Sequence, residues 1–76
     1  MSKRFAQHFG ANIRTLREEQ GLSQESLAVK AGLHRTHVSL IERAQRSARL
    51  ETIEQLAKAL GVQPSDLMPR IRIRRV

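Results

Sequence analysis

Residues 21–46, GLSQESLAVKAGLHRTHVSLIERAQR, decide the fold. Gly21 can take the left-handed conformation that ends a helix, and Leu22 can fold back over the turn just completed. Ser23 is placed to cap the next helix with its hydroxyl, and Glu25 sits near the positive end of that helix dipole. The helix runs from Gln24 to about Ala31. Gly32 repeats the stop signal after only two turns, and His34 caps a third helix that carries Val38 and Ile41 inward. Two short helices meeting at a one-glycine corner are therefore expected.

On the N-terminal side, Phe5, Phe9, Ile13 and Leu16 recur at spacings of four, four and three, the stripe of an amphipathic helix over about residues 3–20. On the C-terminal side, the polar stretch 45–49 leads to a fourth helix with Ile53, Leu56, Ala57 and Leu60 on one face and Gly61 as its stop. Pro64 suits the first turn of a short fifth helix carrying Leu67 and Met68 and ended by Pro69. The tail from Arg70, RIRIRRV, holds four arginines and no acid. The expectation is an all-α, five-helix domain over residues 1–69 and a basic tail over 70–76, in which a short strand is one option.

The chain has 76 residues, enough for one domain that buries roughly 60% of its unfolded surface. Cysteine is absent, so neither disulfides nor a thiolate metal site contributes, and a reducing cytoplasmic setting is expected. No apolar run approaches the ~20 residues of a membrane span, and the first residues lack the charged-then-apolar organisation of a secretory signal, so a soluble protein is expected. Fourteen Lys and Arg against seven Asp and Glu give a net charge of +7, which points to a polyanionic partner. The chain lacks a nucleophile paired with a base, a glycine-rich phosphate loop and paired carboxylates on one face, which argues against an enzyme.

LSQESLA, the corner at Gly32, the register of VSLIE and the closing ALGV together resemble the helix-turn-helix family of Cro and the lambdoid phage repressors, the XRE-type regulators. The resemblance spans Phe5 to about Leu67. It implies a lambda-repressor-like fold and a regulator, repressor or controller protein, that binds palindromic double-stranded operator DNA as a homodimer. It also implies an ion pair between Arg17 and Glu42 that ties the first helix to the third. Two positions depart from the family pattern. Ala44 stands where glycine is usual, and Ala48 with Arg49 replaces a common Pro-Ser pair. Either the left-handed turn survives at Ala44, at a cost of roughly 1 kcal/mol or more, or the third helix runs longer.

Because Val38 and Ile41 fix the inward face, Arg35, Thr36, Ser39 and Leu40 fall on the face that would enter the major groove. Arg35 is suited to guanine O6 and N7, while Leu40 fits either a thymine methyl or the core. Gln24, at the start of its helix, is expected on the DNA backbone, as are Arg43, Arg46 and Arg49 beyond the third helix. His34 and His37, three apart, share a helix face; without cysteines to complete a zinc set, they are read as backbone contacts and no metal or other cofactor is expected. Leu67, Met68, Ile71 and Ile73 are the candidate dimer surface. In the tail, the alternation of Ile71 and Ile73 with arginines suits a strand paired across a two-fold axis, and a basic arm on DNA is the competing reading. An RNA-binding or protein-interaction module reusing the fold is the alternative in another class. It is disfavoured because Phe5 and Phe9, the only aromatics, lie on the core stripe.

Overall fold

The four-four-three spacing of the first segment folds as α1 (Lys3–Glu19), capped by Ser2, whose hydroxyl accepts from the Phe5 amide. In the computed structural model, which describes residues 1–71, α1 is followed by α2 (Gln24–Ala31), α3 (Arg35–Glu42) and α4 (Leu50–Leu60). Most of the apolar stripes meet as expected: Phe9, Ile13, Leu27, Val38, Ile41, Leu56 and Leu60 form one core with almost no exposure, whereas Phe5, expected on the first stripe, is half-buried at the end of α1 outside that core. α1 and α2 both pack against α3 and α4, so α3 is held from two sides while its remaining face stays open. No helix among the described residues is long and apolar enough to cross a membrane.

All four helices stop in the same way. At Gly21, Gly32, Ala44 and Gly61 the backbone turns left-handed, and the next residue's amide donates back to a carbonyl one turn inside the helix. These bonds are Leu22 to Arg17, Leu33 to Ala28, Gln45 to Leu40 and Val62 to Ala57, at 2.9 to 3.0 Å. At Gly32 the φ of +69° lets the chain reverse without a Cβ clash, and that reversal makes the corner between α2 and α3. Leu22, Leu33 and Val62 then pack on the core. α3 has neither advantage: Ala44 takes φ +59° with a side chain, and polar Gln45 follows it. Of the two outcomes open at Ala44, the left-handed turn is the one adopted, and α3 ends at Glu42.

Two expectations need correction. The fifth helix is a single 3-10 turn, Pro64–Asp66, held by the Gln63 amide donating to Asp66 Oδ2. Leu67 lies just beyond it with no exposed surface, and its carbonyl accepts from Asn12 Nδ2 at 3.0 Å. The core of the subunit itself therefore consumes the side chain of Leu67, which is not available to a partner. Met68 is half-buried against the same core, and Ile71 is 71% exposed outside any helix or strand. Ile73 and the rest of the strand expectation lie outside the described residues.

Candidate nucleic-acid interface

The site is built on the anchoring of α3. At its C-terminal end the Glu42 carboxylate is 3% exposed and takes two bonds from one guanidinium, Arg17 Nε to Oε2 at 2.7 Å and the terminal nitrogen to Oε1 at 3.1 Å. The other Arg17 nitrogen donates to the Leu22 carbonyl, and Gln24 Nε2 donates to Glu42 Oε1 at 3.1 Å. The carboxylate thus gathers donors from α1 and α2 onto the last turn of α3. The hydrogen bond to Glu42 raises the Arg17 pKa above its ordinary value against the opposing effect of burial, and the negative charges of Glu42 and Glu18 add to the rise. Arg17 therefore stays charged over the working pH range.

The opposite end of α3 is open. His34 caps it, with Nδ1 accepting from the Thr36 amide at 3.2 Å, which leaves Nε2 as the N–H that can donate outward. Arg35 and Thr36 are exposed on the first turn, and Ser39 and Leu40 are half-exposed one turn on. Leu40 stands outside the core cluster, so of its two readings the core one is not realised. Arg35 lies 3.9 Å from Glu25 of α2, both side chains being well solvated.

Two of the basic residues beyond α3, Arg46 and Arg49, lie close enough to His37 to act on its charge. Burial, followed by the positive charges of Arg46 and Arg49, lowers the pKa of this half-exposed imidazole, so His37 favours its neutral form beside two arginines that supply the local positive field. Arg43, Arg46 and Arg49 are all exposed. Arg49 also occupies the cap position of α4 without a side-chain hydrogen bond, so the first-turn amides of α4 have no capping side chain.

Helix periodicity placed Arg35, Thr36, Ser39 and Leu40 on one open face, and the structure brings them together there. Three features were not read from the sequence: the amide of Gln24 on Glu42, the approach of Glu25 to Arg35, and the uncapped start of α4. Only the last had a local signal, since a long cation is a poor cap. The other two pair residues that the corner at Gly32 and the packing of α3 bring together from distant places in the chain.

A family model described as helix-turn-helix matches residues 13–67. The chain belongs to the helix-turn-helix family. Among curated proteins of this type it is similar to the control protein C.BamHI of Bacillus amyloliquefaciens, 49% identical over 61 residues, which cover 79% of this chain and 75% of the relative. The immunity repressor protein of Bacillus phage phi105 is 41% identical over 59 residues, 78% of this chain and 41% of the repressor. Among solved structures, the restriction-modification controller protein C.AhdI from Aeromonas hydrophila matches with a TM-score of 0.82 at 44% identity, covering 83% of this chain and 96% of that one. In helix-turn-helix terms α2 is the supporting helix and α3 the recognition helix.

Proposed function

We propose that this helix-turn-helix chain is a cytoplasmic transcriptional regulator that binds a palindromic operator as a homodimer, in the manner of a repressor or controller protein. The observation that carries the reading is the contrast between the two ends of α3. One end is locked to α1 and α2 through a buried carboxylate, while the other presents Arg35 and Thr36 to solvent. A helix so held can enter a major groove with a defined register. Arg35, Thr36, Ser39 and Leu40 face base edges; Gln24, His34, His37, Arg43, Arg46 and Arg49 face phosphates. Glu42 orients Gln24 by accepting one of its two amide protons, and the second remains free for a phosphate oxygen.

Dimerisation follows from size and from the surface left open. A single module of this kind buries only about 600 to 1,000 Å² on DNA, so tight specific binding calls for two half-sites. Half-buried Phe5 and exposed Ile71 line one hollow with Pro69 and Arg70, and with half-buried Met68 they are apolar surface near the basic tail available to a second copy. Selection of bound sequences from random duplex DNA tests the proposal. The expected outcome is a palindrome whose preference relaxes at one base position in Arg35→Ala, while Gln24→Ala weakens binding to all sequences alike. Equal affinity for the selected and scrambled duplexes at physiological salt would refute it.

A further inference from the structure

Glycine is among the poorest residues for a helix interior, yet Gly10 sits in the middle of α1, buried and with ordinary helical backbone. What the position requires is the absence of a side chain. A Cβ on Gly10 would stand 2.5 Å from the Ile41 carbonyl oxygen, 2.7 Å from that of Glu42 and 3.0 Å from the Glu42 carbonyl carbon. These are backbone atoms of the last turn of α3, and no rotamer change can clear them. We infer that Gly10 is a positioning residue for DNA reading: its bare backbone forms a notch that receives the C-terminal carbonyls of α3 and so sets the angle at which the recognition helix is presented.

An ordinary carbon-to-oxygen contact lies at about 3.3 to 3.6 Å, so a methyl group here would displace the end of α3 by roughly 0.8 Å. Simple translation is blocked, because Arg17 and Gln24 hold the Glu42 carboxylate from α1 and α2. The displacement becomes a rotation of α3, felt at Arg35 and Thr36 on the opposite end. It also reaches the following turn. The Ile41 carbonyl accepts from the Ala44 amide at 3.0 Å, and Ala44 already carries the left-handed strain that leads the chain to Arg46 and Arg49. The notch therefore aligns the base-reading turn and the phosphate-facing loop through a single contact.

The inference rests on the DNA-reading proposal, and Gly10→Ala tests the two separately. The duplex selected from random DNA and a scrambled duplex serve as probes, and Ile53→Val, a methyl deletion in the core-facing side of α4, serves as a control for lost stability. Gly10→Ala is expected to fold, to lose about tenfold or more in affinity for the selected duplex, the scale of one misplaced base contact, and to keep its scrambled-duplex affinity within about twofold. Ile53→Val is expected to keep the wild-type ratio of the two affinities. Without DNA, amide hydrogen exchange at Ala44 and Gln45 is expected to quicken in Gly10→Ala and not in Ile53→Val. An unchanged affinity ratio in Gly10→Ala, or unchanged exchange at Ala44, overturns the inference. If Gly10→Ala does not fold, the same measurements are made in the Ala44→Gly background. Failure to fold there too overturns the inference, because the glycine would then serve the core as a whole. A wild-type chain that does not discriminate between the duplexes overturns the DNA-reading proposal instead, and the exchange measurement still tests the notch.

Discussion

Glu42 is the most heavily hydrogen-bonded carboxylate among the described residues. With 3% of its side chain exposed and three donors upon it, its loss leaves the Arg17 guanidinium, 11% exposed, without its carboxylate. Glu42→Ala is therefore expected to cost about 3 to 5 kcal/mol, against ~1 kcal/mol or less for a solvated pair. Urea unfolding measures this directly, and a midpoint matching the wild type would mean that the pair carries no such weight. Ala44 acts in the opposite sense. It alone among the described non-glycine residues takes positive φ, in a turn of the same hydrogen-bonded form as three glycine turns of the molecule. Ala44→Gly is expected to raise stability by about 1 kcal/mol with the loop path unchanged. A lower midpoint for this variant would show that the greater freedom of glycine in the unfolded chain outweighs the strain removed.

At the level of elements, the start of α4 sets stability against binding. α1, α2 and α3 begin with a side-chain cap from Ser2, Ser23 and His34, whereas Arg49 opens α4 without one. A serine there would accept from a first-turn amide and add about 1 kcal/mol. It would also remove a cation from the cluster around His37. Arg49→Ser is accordingly expected to melt higher and bind DNA more weakly, with the log-log salt slope reduced by about 0.9 for one lost phosphate contact. A salt slope identical to the wild type would take Arg49 out of the DNA interface.

For the whole molecule, the burial of Leu67 takes it out of the proposed dimer surface, which among the described residues leaves Met68 and Ile71, with half-buried Phe5, at the root of a tail that carries four arginines from position 70 onward. If the tail joins the subunits, deleting residues 70–76 weakens self-association in the absence of DNA, which sedimentation measures. The expected result is a shift toward monomer. A truncated chain that dimerises as tightly as the full one, and loses only salt-sensitive DNA affinity, would assign the tail to the phosphate backbone instead.

The helices and their ends were legible in the sequence because they depend on local chemistry. The stripe through Phe9 and Ile13, the caps at Ser23 and His34, and the stops at Gly21, Gly32 and Gly61 each involve residues within a turn or two of one another. The open face of α3 followed from the same periodicity, once Val38 and Ile41 had been assigned inward. The Arg17 and Glu42 pair was expected from family resemblance and not from spacing. Tertiary structure decided the rest. The fate of Leu67 depended on whether α1 and α4 left room for it, and a short apolar segment reads the same whether its partner is its own core or another subunit. At Ala44 local propensity opposed the turn that formed, because packing of α3 on α1 and α2 fixes where the helix must stop. Gly10 reads in sequence as a flaw in a helix; only the carbonyls of Ile41 and Glu42, brought against it from more than thirty residues away, explain its place.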